Sequence, residues 1–161
     1  MCQAAFIIYA SLMNCFFCAN PGGRVLYNCE LYRIILVEDE FYPGYLRVVL
    51  NQHLRELSDL SEADNLLLYQ AVIRCETVLR KILDPHKINI ASFGNQTPHV
   101  HWHIIPRFND DRHFPNPTWG EITNPHYIPS SELLKLVELV DKEFVSMKRQ
   151  STCAPRSKGT P

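Results

Sequence analysis

The sequence has almost no net charge. Sixteen Lys and Arg against 17 Asp and Glu leave −1 at neutral pH. That balance excludes a general attraction for nucleic acid or an anionic membrane, so any affinity for phosphate must come from a local site. Also missing is an apolar run of the ~20 residues needed to cross a bilayer. The apolar start, residues 1–13, is too short, and no Lys or Arg precedes it as an export signal requires. Six cysteines are scattered at 2, 15, 18, 29, 75 and 153. They do not form the dense framework of a small secreted domain, and the chain reads as a cytoplasmic protein. No internal repeat is evident. What remains is ordinary: 161 residues, 46% apolar and 20% charged, suit one domain with a core of useful size.

The periodicities predict alternating strands and helices. Leu31–Val37 and Tyr45–Leu50 are apolar and β-branched, and each reads as a strand. Pro43-Gly44 between them suits the centre of a type II turn. On the second strand Leu46, Val48 and Leu50 face one way, and Tyr45, Arg47 and Val49 the other. A long helix starts at the cap Ser61, with Asp64 three residues on, and is closed by Asp84-Pro85. Its buried stripe is Leu68, Val72, Cys75, Leu79 and Ile82, which makes Cys75 a core residue. Lys87–Phe93 reads as a third strand. A last helix, capped by Ser130 or Ser131, carries Leu133, Val137, Val140 and Phe144 along one face.

The most informative stretch is His99-Val-His-Trp-His-Ile-Ile105. On a strand, alternate side chains share a face, so His99, His101 and His103 would stand in a row about 6.6 Å apart. Val100, Trp102 and Ile104 would pack behind them, with Pro106 ending the strand. Pairing of Phe93 with His99 in a hairpin would put Asn89 opposite His103. Adjacent imidazoles resist full protonation, since each added charge raises the cost of the next. One can therefore stay neutral and attack phosphorus while another donates to developing negative charge. The loop before the row, including Asn95, Gln96 and Thr97, offers backbone N–H groups, two amides and a hydroxyl. It reads either as a phosphate cradle or as a plain hairpin turn.

Cys15-Phe-Phe-Cys18 has the spacing of half a zinc site. His53 and His99 are the available completing ligands, giving a closed Cys₂His₂ site that is structural and leaves the chemistry metal-free. The other reading is two cysteines on a small core element. Metal ligation by the histidine row itself, as in a cupin-like enzyme, suffers from the lack of carboxylates near the row.

The row matches the H-φ-H-φ-H-φ-φ signature of the histidine-triad (HIT) family at every position. Together with the order of elements and Asn116-Pro-Thr-Trp119, the chain most resembles a bacterial branch of that family. The resemblance implies an α+β, HIT-like fold: an antiparallel sheet with one long helix and a C-terminal helix, the sheet continued across a homodimer. With the polar, aperiodic end of the chain, the expected division is an N-terminal extension (1–12), a histidine-triad domain (13–120), a C-terminal helical segment (121–148) and a disordered tail (149–161). The resemblance also implies a hydrolase that cleaves a nucleoside 5′-monophosphate from a phosphoramidate or phosphoanhydride through a nucleotidyl-histidine. His101 would be the nucleophile and His103 would donate to a phosphate oxygen or the leaving group. His99 would orient the row or bind zinc. Asn89, Asn95, Gln96 and Thr97 would hold the ribose and phosphate side. The partner is a small nucleotide, neither nucleic acid nor membrane. The alternative is a non-catalytic nucleotide-binding or zinc-stabilised interaction module. Tyr45 departs from the histidine that many members carry directly after Pro-Gly.

Overall fold

The computed structural model describes residues 15–148. The expected N-terminal extension and C-terminal tail lie outside the described residues. A single helical turn, Phe16–Ala19 (α1), leads into strands Arg24–Asn28 (β1), Tyr32–Leu36 (β2) and Leu46–Leu50 (β3). The long helix Glu62–Leu83 (α2) follows, then Lys87–Ala91 (β4), His101–Arg107 (β5) and the helix Ser131–Lys148 (α3). The strands form one antiparallel sheet in the order β1-β2-β3-β5-β4.

Local chemistry explains most boundaries. The Ser61 hydroxyl accepts from the Asp64 N–H at 3.1 Å. Glu62 and Asp64 in the first turn of α2, and Arg80 and Lys81 in the last, oppose the helix dipole. The helix stops at Asp84, whose φ of 45° is left-handed, with Pro85 next. In α3, Ser130 is the capping side chain, accepting from Leu133 N–H at 3.1 Å. The Pro43-Gly44 turn is closed by Tyr45 N–H donating to Tyr42 O at 3.1 Å, and Gly44 holds φ +87°. A Cβ there would sit 2.6 Å from Leu83 Cδ1, so glycine also lets the turn press on α2.

One sheet face is dry. Leu46, Val48, Leu50 and Ile104 are fully buried against Leu68, Val72, Cys75 and Leu79 of α2 and Val140 and Phe144 of α3. Ile82 is only half-buried. Burial pushes the Cys75 thiol pKa far up, as suits a core residue. The opposite face carries Val49 and Ile35 packed with Cys15 and Phe17, and Tyr45 and Ile105 packed with Tyr42. No helix among the described residues is long and apolar enough to cross a membrane.

Three expectations need correction. β1 went unread because a bulge between Val25 and Tyr27 breaks its alternation, leaving two exposed residues followed by two buried ones. Pro106 lies inside β5, opposite Ile88. It is tolerated because the β3 ladder has already ended at Leu46 opposite Ile104, so a donor on that side would have no partner. The hairpin register puts Ala91 opposite His103 and Asn89 opposite Ile105. The two-residue shift keeps Asn89 on the histidine face and moves it away from His103.

Candidate active site

β5 is flanked by β3 and β4, and its register sets what surrounds the histidines. Arg47 stands opposite His103, and Val49 opposite His101. His101 and His103 share the face away from α2 and α3, with ring centroids 4.8 Å apart. His99 departs from the expected row, for it lies on a bend ahead of β5. There Val100 N–H donates to Leu54 O and Val100 O accepts from Leu50 N–H. This irregular pairing turns the His99 ring toward the N-terminal segment.

Each imidazole is oriented by a different partner. His101 Nδ1 lies 2.6 Å from the His99 carbonyl, which can only accept, so the proton is on Nδ1 and Nε2 keeps a free lone pair. Phe17 packs on the same ring at 4.7 Å between centroids. His103 Nδ1 bonds the Tyr45 hydroxyl, and Arg47 Nε donates to that hydroxyl at 3.1 Å.

These groups line an open cavity of about 740 Å³. His101, His103 and Arg47 line it together with Asn95, Gln96 and Thr97. Phe16, Phe17, Phe93 and Trp119 supply aromatic walls. Phe93 and Trp119 meet edge to face at 4.7 Å, both well exposed. Among the described residues no carboxylate lines this cavity. A cation, polar amides and exposed rings without an acid suit an anionic ligand with a flat apolar part.

A second constellation adjoins the first. Sγ of Cys15 and Cys18 and Nδ1 of His53 and His99 all lie within 4.8 Å of one another. Cys15 Sγ to His99 Nδ1 is 3.3 Å, Cys18 Sγ to His53 Nδ1 3.3 Å, Cys18 Sγ to His99 Nδ1 3.7 Å, and the two Nδ1 atoms are 3.3 Å apart. Four such donors around one tetrahedral ion would show S–N edges of about 3.5 Å and an N–N edge of about 3.3 Å. His99 Nε2–H donates to Leu50 O at 2.7 Å, which leaves the Nδ1 lone pair toward the thiols. The four residues fit a tetrahedral metal site. Burial, then the neighbouring Cys15 thiol, pushes the Cys18 thiol up to about 11. A divalent cation would reverse that and release the protons.

Residues 20–110, more than half of the chain, match the family model described as HIT domain. The chain belongs to the HIT domain family.

Other comparisons agree with this HIT assignment. The chain is 25% identical over 126 residues to a Mycobacterium tuberculosis protein named AP-4-A phosphorylase, covering 74% of this chain and 65% of that protein. It is 28% identical over 95 residues to a Schizosaccharomyces pombe bis(5′-nucleosyl)-tetraphosphatase (asymmetrical), covering 56% and 52%. The HIT chain therefore spans less than two thirds of the length of these curated relatives. A solved histidine triad protein from Bradyrhizobium japonicum superposes with a TM-score of 0.63 at 26% identity, over 77% of this chain and 92% of that one.

The predicted site residues separate into three groups. His101, His103, Asn95, Gln96 and Thr97 meet in the cavity. Cys15, Cys18, His53 and His99 meet beside it. Asn89 lines neither, and its Oδ1 accepts from Arg107 Nη1 at 2.6 Å. Arg107 is 1% exposed and grips Asp111 through two bonds, Nε to Oδ2 at 2.6 Å and Nη2 to Oδ1 at 2.9 Å. Sequence reasoning missed that pair and also missed Arg47 in the site. The alternation on β3 had put Arg47 on the face of Tyr45 and Val49, and only the register with β5 brings it to His103. Burial lowers the pKa of all three triad histidines, and His103 falls to about 3 with His101 and Arg47 adding to the effect. His103 is thereby held as a neutral imidazole, whose one ring N–H is the proton it can donate.

Proposed function

We propose that this HIT protein is a hydrolase that releases a nucleoside 5′-monophosphate from a phosphoanhydride or phosphoramidate through a nucleotidyl-His101 intermediate. The observation that carries the reading is the His101 tautomer: Nδ1–H is committed to the His99 carbonyl, so Nε2 is a free nucleophile on a ring lining a cavity with no carboxylate among the described residues. Names of the M. tuberculosis and S. pombe relatives, both acting on dinucleoside tetraphosphates, support the same substrate class.

In the first step Nε2 forms a bond to the α-phosphorus, and the bond from phosphorus to the leaving group breaks with its electron pair on that group. The resulting positive imidazole keeps Nδ1–H on the His99 carbonyl, which disperses the charge. In the second step water attacks phosphorus and gives up one proton to solvent, the P–N bond breaks with its electron pair back to Nε2, and the nucleoside monophosphate leaves. Asn95, Gln96 and Thr97 offer donors to the phosphate oxygens, and the exposed rings of Phe93 and Trp119 offer a surface for the base. Quenching the enzyme during turnover of a dinucleoside tetraphosphate and digesting it should reveal one nucleoside monophosphate on the peptide holding His101. Nucleotide binding with neither adduct nor product would instead favour a binding module.

The Cys₂His₂ cluster is read as a structural zinc site, held by Cys15, Cys18, His53 and His99 with no position left open for substrate. Bound there, zinc would supply cross-linking of α1 to the start of β5. Elemental analysis should find about one zinc per chain, lost in Cys15→Ser; a metal-free native protein would refute this.

The assembly is read as a homodimer. β4 is an edge strand, and Ile90 on it and Leu66, Tyr69 and Ile73 on α2 are exposed apolar residues that a second copy would cover. A monomeric mass by light scattering at micromolar concentration would count against it.

A further inference from the structure

The geometry points to Tyr45 and Arg47 as positioning residues that fix His103 as a neutral imidazole presenting Nε2–H to the substrate. The inference rests on the hydrolase reading above and concerns how its second histidine is prepared. Arg47 on β3 lies directly opposite His103, and Tyr45, immediately before β3, brings its hydroxyl to both side chains. The guanidinium can only donate. Its Nε–H on the Tyr45 oxygen at 3.1 Å therefore fixes that oxygen as an acceptor there. The phenol's own proton needs an acceptor, because Tyr45 is only 7% exposed. His103 Nδ1 is the partner it has. With Nδ1 occupied by an incoming proton, the ring proton must sit on Nε2, on a ring that lines the cavity beside His101.

The surroundings keep this chain of bonds in one state. Arg47 Cζ lies 5.0 Å from the Tyr45 ring centroid and 5.9 Å from that of Phe17, so its position is set by two aromatic walls. The Tyr45 and His103 rings lie nearly parallel, 28° apart at 5.8 Å. Burial raises the Tyr45 phenol pKa, so it keeps the proton it donates. Burial, with His101 and Arg47, keeps His103 neutral. The chain Arg47 to Tyr45 to His103 thus ends in one donor, aimed where negative charge gathers on a phosphate or leaving-group oxygen.

The test is nitrogen NMR of the histidine side chains in the full-length protein, read with steady-state kinetics. In the native protein at pH 7, His103 should show a protonated Nε2 and an Nδ1 shifted by accepting a hydrogen bond. A protonated Nδ1, or an imidazolium, overturns the proposal without any variant being made. In Tyr45→Phe the Nδ1 signal should move to its unbonded position. The rate constant kcat should fall about 10- to 100-fold, the scale of losing one oriented donor, with KM within about twofold. An unmoved Nδ1 signal, or unchanged kcat with a moved signal, also overturns it. Failure of the hydrolase reading looks different: no nucleotidyl-His101 forms in the native protein, whatever the state of His103.

Discussion

Replacing His101 by Ala should abolish turnover, with kcat lower by on the order of 10⁴- to 10⁶-fold and no nucleotide on the quenched protein. The reason is specific to this ring. Of the two cavity histidines, His101 has its Nδ1 proton held by a main-chain carbonyl, and His103 has its Nδ1 lone pair consumed by Tyr45. Nε2 of His101 is the free nucleophilic lone pair of the pair. Substrate binding should largely survive, because Arg47, the Asn95–Thr97 side and the aromatic walls remain. The measurement is a direct comparison of product formation and nucleotide affinity in the two proteins. Retained turnover in His101→Ala would end the covalent mechanism, and lost affinity with an intact fold would mean the ring mainly binds. Free imidazole added to the variant offers a further check, since it can enter the space left by the ring and act as a diffusible nucleophile.

The largest expected loss of stability follows Asp111→Ala, about 3–5 kcal/mol. Asp111 and Arg107 are each 1% exposed and share two bonds. Removing the carboxylate would strand a buried guanidinium and release the N–H groups of Phe108, His113 and Phe114, which it also accepts. Arg107 further ties Asn89 and the Asn116 carbonyl to the end of β5, so the damage would spread into the Pro-rich crossing. Chemical denaturation at pH 7 measures it, and a loss below about 1 kcal/mol would show the pair to be dispensable. The pair also carries a pH signature. Burial alone would raise the Asp111 pKa, but the bonds from Arg107 and from the His113 and Phe108 backbone outweigh it and hold it below 3.8. A depressed carboxylate stabilises fully above its unfolded value near about 3.9, and the contribution is lost as pH falls through the folded pKa. Native protein should therefore lose this increment only in strong acid, and Asp111→Asn should have a flatter stability curve there.

Much of this was legible in the chain because it depends on near neighbours. The cap at Ser61, the stop at Asp84-Pro85 and the turn at Pro43-Gly44 rest on residues within four positions of one another. The stripe of α2 and the alternation of β3 follow from the helical and strand periods alone. β1 was lost for the converse reason, since its bulge leaves no clean period to read.

The sequence by itself determined that His101 and His103 share a face, since a strand's period of two permits nothing else. It also named the four residues that come together as a possible metal site, because Cys-x-x-Cys leaves few candidates to complete it. Tertiary structure decided how each imidazole differs from the next. His99 leaves the strand at a bend, bonds the Leu50 carbonyl and turns to the thiols. His101 borrows the carbonyl of His99, and His103 answers to Tyr45 and Arg47 across the β3 ladder. Those assignments depend on register, and register is a property of two strands: nothing within the seven residues of the motif records which residue of β3 will lie opposite.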